Sequence, residues 1–196
     1  LVVYTGSNIS AAEGLEAMGR LRADGFTFRV LLSQSAARLL DVEAIRSVLE
    51  PEELWIGTPG DTPEALTKQY DTIIVPAATV RTVSHVVSCM ADTPAAAVIL
   101  DGLMRGKNVI VATDGCCPDH AERARRGFRM AEPLKQTLRN HLEALRDYGI
   151  TAAGQLGPNN QYVFAVKPEL AEQYGLETVS DLAPYASNWI VGCSQS

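Results

Sequence analysis

The sequence predicts an α/β domain built on a doubly wound parallel sheet with helices on both faces. Two observations carry this expectation. Short β-branched apolar runs alternate with helical stretches, the rhythm of repeated βα crossovers. The run Thr72-Ile73-Ile74-Val75 is apolar or β-branched throughout, as strands covered on both faces are. A third observation bears on ligands: loops of Gly, Ser and Thr follow the strands, and open parallel sheets bind ligands at those carboxyl ends.

The first strand covers residues 1–4 and ends at Thr5-Gly6-Ser7, where Gly6 permits a tight turn. Ser10 is placed to cap a helix over 11–23, closed by Asp24-Gly25. A strand over 26–32 leads into a helix through Ala36 and Leu40, and Asp41 caps another to residue 49. The third strand, 54–56, stops at Gly57-Thr58-Pro59-Gly60. The fourth runs from Thr72, and helices over 80–89 and 94–105 follow it. A fifth strand covers 108–112. A long amphipathic helix then spans 121–148, with Pro133 bending or splitting it.

After Gly149 the rhythm changes. A loop containing Gly154, Gly157, Pro158, Asn159 and Asn160 precedes a strand over 162–166, a short helix over 168–174 and a turn at Ser180-Asp181. The expected division is a main domain over 1–150 and a C-terminal strand–helix appendage over 151–196.

The 196 residues suit one domain with a small appendage. Hydrophobic residues at 46% and charged residues at 20% are those of a globular chain. A net charge of −6 argues against a general nucleic-acid or anionic-membrane binder, while leaving room for a local phosphate site made of backbone amides. No apolar run approaches the roughly 18 residues of a membrane span, and no secretory signal is present. Leu1 already lies within a strand, so the natural chain is expected to begin earlier. Cys89, Cys116, Cys117 and Cys193 form no CxxC pair and no zinc spacing, which predicts a reduced, cytoplasmic protein.

Three strand ends carry suitable chemistry for a phosphate. They are Thr5-Gly6-Ser7-Asn8, Ser33-Gln34-Ser35 and Pro76-Ala77-Ala78-Thr79-Val80-Arg81-Thr82. Each reads either as a helix cap or as a ligand contact, but three such loops together exceed what capping needs. Neither a Walker loop nor GxGxxG is present, so no ATPase or conventional dinucleotide fold is supported. Cys116-Cys117 reads either as a redox pair, thiol ligand or nucleophile, or as two small packed residues. Asp114 and Asp119 flank it and disfavour a thiolate. Cys89, with Val86 and Val87, is expected in the core. His85 is expected to be structural, His120 to cap or to contact ligand, and His141 to be solvated. Arg123, Arg125, Arg126 and Arg129 read either as a solvated helix face or as a contact with an acidic neighbouring subunit.

TGS at 5–7, PAATVRT at 76–82 and MADTPAAAVIL at 90–100 resemble the homo-oligomeric flavin-containing cysteine decarboxylases, over about residues 1–150. The resemblance implies a flavodoxin-like, Rossmann-like sheet with FMN bound at the subunit contacts of a trimer or a multiple of trimers. By position, Ser7, Ser33, Thr79 and Thr82 would face the FMN phosphate and ribityl chain. Met90, Ala91, Asp92 and Thr93 would lie beside the flavin or a neighbouring subunit, and Thr5, Gly6 and Ala78 complete the implied set.

The departures are specific. The family's histidine after the third strand is missing from WIGTPGDTPEAL, and its Pro-Ala-Met-Asn segment is replaced here by Ala112-Thr113-Asp114-Gly115-Cys116-Cys117-Pro118-Asp119. In these departures the chain more closely resembles divergent flavoproteins of that superfamily, some encoded with glycyl-radical-enzyme microcompartments. That placement implies flavin redox chemistry or electron delivery to a partner protein.

Residues 159–192 resemble the hinge-crossing segment of glycine-betaine substrate-binding proteins of ABC transporters. Trp55 and Trp189 do not by themselves make the aromatic cage an ammonium ligand needs. The alternative expectation is therefore a quaternary-amine binding module, or a chimeric α/β scaffold.

Overall fold

Strand β1 (Val2–Tyr4) pairs in parallel with β2 (Arg29–Leu32) on one side and with β4 (Thr72–Val75) on the other. Beyond β2 lies β3 (Glu53–Ile56). Beyond β4 lie β5 (Asn108–Ala112) and β6 (Thr151–Ala153), all parallel. The order β3-β2-β1-β4-β5-β6 is the Rossmann-like arrangement of the expected class, with its switch point between β1 and β4.

This computed structural model describes residues 1–153. The expected strand over 162–166, the helix over 168–174, the turn at 180–181, Trp189 and Cys193 lie outside the described residues. The chain divides into two compact units, Leu1–Asn159 and Asn160–Ser196, and the sheet belongs to the first.

Side-chain alternation along each strand sorts the core into two layers. Val2, Tyr4, Val30 and Leu32 pack with Met18, Ile45 and Leu49, from α1 (Ala11–Ala23) and α3 (Val42–Leu49). Val3, Leu31, Ile73, Val75 and Val111 face the other way. They pack with Leu66 of α4 (Pro63–Gln69), Val83 of α5 (Val80–Val87), Ile99 of α6 (Pro94–Met104) and Leu145 of α8 (Glu132–Asp147). The short α2 (Gln34–Leu39) follows β2 directly and buries Ala36.

The structure departs from the sequence expectation at several points. The helix expected over 121–148 is two helices. The first, α7 (Ala121–Arg125), ends before Gly127 at φ 81°, and Pro133 sits in the first turn of α8. Helix α4 was not expected, although Thr62-Pro63 marks its start: the Thr62 hydroxyl accepts the Ala65 N–H. Nor was β6, whose Thr-Ala-Ala offers no bulky apolar signal. Ser10 occupies the cap position of α1 with φ 54°, but its side chain caps nothing. Cys89, expected in the core, is exposed in a turn at φ 54°.

Candidate functional site

The carboxyl ends of β1, β2, β3 and β4 open into one cleft of about 310 Å³. Thr5 and Gly6 line it after β1, Ser33, Gln34 and Ser35 after β2, and Gly57 after β3. Thr79, Arg81 and Thr82 come from the start of α5, and Thr93, Pro94 and Ala95 from the start of α6. This is the switch-point crevice in which open α/β sheets bind ligands.

Local hydrogen bonding explains why these residues fold this way. Ser33 Oγ accepts the Ala36 N–H at 3.0 Å, Thr79 Oγ1 the Thr82 N–H at 3.1 Å, and Thr93 Oγ1 the Ala96 N–H at 3.2 Å. Each is an N-cap that satisfies the third amide of its helix. The first turn of a helix leaves its leading amides without intrahelical partners. Those of Gln34, Ser35, Val80, Arg81 and Ala95 are therefore the leading donors of three helix starts at one crevice. Arg81 is exposed, and has no ion-pair partner among the described residues.

Two glycines let the walls approach. A Cβ on Gly6 would come within 2.7 Å of Ser35 Cβ, so glycine is needed there for contact between loops rather than for a left-handed turn. Gly57 has φ +82°, and a Cβ there would collide with the Gln34 side chain. The Thr5 hydroxyl, almost fully buried, donates to the Ala77 carbonyl at 2.8 Å and accepts the Thr79 N–H at 3.0 Å. That side chain ties the loop after β1 to the loop after β4.

Of the residues singled out from sequence, Thr5, Gly6, Ser33, Thr79, Thr82 and Thr93 meet at the cleft. Ser7 and Ala78 do not line it. They are buried behind it against Gly115, where any Cβ would overlap Ser7 Oγ and the Ala78 carbonyl. Met90, Ala91 and Asp92 are exposed and also lie outside the lining. Gly57, Pro94 and Ala95 were not singled out as site residues. The Gly57 turn and the Thr-Pro helix start at 93–94 were the available signals.

Cys116 requires correction as a nucleophile. It is buried, its thiol donates to the Ala78 carbonyl at 3.4 Å, and burial pushes its pKa up to about 12. It is a packed, protonated thiol at neutral pH. Cys117 is half-buried, and its carbonyl accepts from Arg123 Nε at 2.9 Å. Arg123 also donates to the Gly115 carbonyl, and Arg126 donates to Asn8 Oδ1 at 2.6 Å. These two arginines sew the loops after β5 and β1 together and are not a merely solvated face.

The histidines have structural surroundings. His120 Nδ1 accepts the Glu122 N–H at 3.2 Å and caps α7. His141 Nδ1 lies 3.2 Å from Ser84 Oγ, joining α8 to α5 instead of facing solvent. His85 Nδ1 lies 2.7 Å from Asp92 Oδ1, off the line of a good hydrogen bond. Among the described residues no cluster of His, Cys, Asp and Glu is placed to hold a metal ion. No helix among them is long and apolar enough to cross a membrane.

The family model for the substrate-binding domain of ABC-type glycine betaine transport systems matches residues 131–195. Its described part is α8 and β6, which here belong to the parallel sheet and one helical layer. Tyr148, the one aromatic residue in that described part, donates from its hydroxyl to the Val87 carbonyl at 2.9 Å. No curated protein matches the sequence.

Solved structures with this fold include the FMN-dependent cysteine decarboxylase TvaF of thioviridamide biosynthesis, at 21% identity and TM-score 0.56, covering 78% of this chain and 86% of that one. The peptidyl-cysteine decarboxylase EpiD superposes at 14% identity and TM-score 0.56, covering 78% of each chain. A dodecameric FMN-dependent UbiX-like decarboxylase from Escherichia coli O157:H7 superposes at 15% identity and TM-score 0.59, over 97% of this chain and 98% of that one. The protein thus has the fold of the FMN-dependent cysteine decarboxylases, with a segment similar to glycine-betaine-binding domains over its last third.

Proposed function

We propose that the protein is an FMN-binding flavoprotein whose switch-point cleft holds the cofactor's phosphate and ribityl chain. The carrying observation is the cleft's charge. Its lining consists of hydroxyls, leading helix amides, small apolar groups and Arg81, whose guanidinium has no ion-pair partner among the described residues. Such a lining favours an anion of high charge density. At about 310 Å³ the cleft lies at the low end for small-molecule sites, which leaves the flavin ring toward the mouth. The fold neighbours, among them FMN-dependent decarboxylases, support the same reading.

FMN, when bound, supplies one- and two-electron redox chemistry. The chain contributes positioning: Arg81 and the starts of α2, α5 and α6 hold the anion, and Thr5 keeps two of the walls in register. Redox or electron delivery to a partner protein fits this lining better than cysteine decarboxylation, because Arg81 is the one ionisable side chain lining the cleft among the described residues. Homo-oligomerisation as a trimer or a multiple of trimers, in the cytoplasm or a microcompartment, belongs to the same reading. Met90, exposed three residues before Thr93, is apolar surface a second copy would cover.

The test is titration with FMN and with riboflavin, followed by assay of the loaded protein. Tight FMN binding that Arg81→Ala weakens supports the reading. Turnover of a cysteine-terminated peptide would assign decarboxylation in place of electron transfer.

The match over 131–195 favours a second reading, binding of a quaternary amine. Saturable heat on titration with glycine betaine, without flavin binding, would select it.

A further inference from the structure

Helix α7 ends at Arg125, and Gly127 at φ 81° turns the chain back. The Phe128 N–H donates to the Arg123 carbonyl at 3.0 Å, which closes that turn. A cleft of about 450 Å³ lies among α7, this turn and the first turn of α8. It shares no lining residue with the switch-point cleft.

The apolar part of its lining is Pro118, Ala124, Phe128 and Met130. Phe128 is 55% exposed, and Arg123 Cζ lies 5.9 Å from its ring centroid. The charged part is three cations, Arg123, Arg129 and Lys135, against one carboxylate, Asp119. That carboxylate is already met by Arg139, at 3.0 and 3.1 Å. Arg123 donates to the Gly115 and Cys117 carbonyls, which leave its charge unneutralised. Lys135 reaches Glu132 only at 3.8 Å. Arg129 is exposed and has no hydrogen bond or ion pair among the described residues. His120 adds a donor: its Nδ1 accepts the Glu122 N–H, which leaves the ring proton on Nε2.

A chain of net charge −6 thus carries a cleft whose lining is cationic. A small inorganic anion would meet the cations and leave the apolar wall in water. A neutral apolar molecule would do the reverse. A ring bearing a carboxylate meets both, because arginine pairs with carboxylates in a planar fork and aromatic rings pack on one another. We propose that this cleft is a second ligand site, taking a small aromatic carboxylate with its ring against Phe128 and its charge toward Arg129 and Lys135. The inference stands independently of the flavin reading.

The test is ligand-observed NMR titration of the full chain with benzoate and benzamide, which share a ring and a planar head and differ in charge. Benzoate is expected to bind about 3–10-fold more tightly, an advantage that high salt erases. Arg129→Gln, at an exposed residue with no partner in the fold, weakens benzoate about 3-fold or more and leaves benzamide unchanged. Phe128→Leu weakens both probes by a similar factor. Arg46→Gln removes a charge from α3 and Arg81→Ala one from the switch-point cleft, and both leave benzoate affinity as it is. Absence of saturable benzoate binding, equal affinity for the two probes, or full affinity in Phe128→Leu overturns the site. So does a loss in Arg46→Gln or Arg81→Ala that matches the loss in Arg129→Gln. An oligomer in solution that Arg129→Gln dissociates also overturns it, and gives the cluster to an acidic neighbouring subunit. Because the probes are titrated without FMN, a failure of FMN binding does not affect these outcomes.

Discussion

The Thr5 hydroxyl accepts the backbone N–H of Thr79 at 3.0 Å, across 74 residues of chain, and donates to the neighbouring Ala77 carbonyl. One buried side chain therefore spans the switch point, holding the start of α5 against the end of β1.

Thr5→Val keeps the shape and leaves two buried backbone groups unpaired, at a cost of about 2–4 kcal/mol in urea unfolding. Thr5→Ser keeps both bonds and costs about 1 kcal/mol for the lost methyl. Equal losses in the two variants would show that packing, not hydrogen bonding, makes the link.

Gly57→Ala forces a side chain into a left-handed backbone and against Gln34, with an expected loss of about 1–2 kcal/mol. Gly106→Ala serves as the control. It has φ +66° but nothing near its Cβ, so it shows the backbone part alone. Equal destabilisation in both would mean that the close approach at Gly57 contributes nothing.

Native-state alkylation mapped by mass spectrometry should label exposed Cys89 while sparing Cys116, which reacts only after unfolding. The raised thiol pKa also has a stability consequence. Between the unfolded value near 9.0 and the folded value of about 12, the folded state binds more protons, so stability falls as pH rises through that window. Cys116→Ala should make that decline shallower by up to about 1.4 kcal/mol per pH unit.

The architecture was largely legible in the sequence because β-branched runs, glycines and cap residues are local signals. The bounds of α1 and β5 follow from Asp24-Gly25 and from the apolar run Val109-Ile110-Val111. Helix α4 and strand β6 were missed because seven and three residues carry too little periodicity. At the site, hydroxyls after strands marked the right loops. Only tertiary structure shows that Ser33, Thr79 and Thr93 are caps, that Ser7 and Ala78 lie behind the cleft, and that Gly57 completes it. The roles of Arg123 and Cys116 depend on a long-range fold of the 113–118 loop that no local pattern encodes.

If the cleft binds a phosphate ester, Arg81→Ala should weaken FMN binding about 10-fold or more, the loss of one charge-assisted interaction. Riboflavin, which lacks the phosphate, should bind the variant and the parent equally. A parallel loss for both ligands would place Arg81 against the ring or sugar chain instead.

The most direct measurement is a titration of the purified protein with FMN, followed by visible absorption and flavin fluorescence. Saturation at one FMN per chain, with retained yellow colour after desalting, is the predicted result. A protein that stays colourless and leaves FMN fluorescence unchanged at excess cofactor would contradict the assignment of the switch-point cleft.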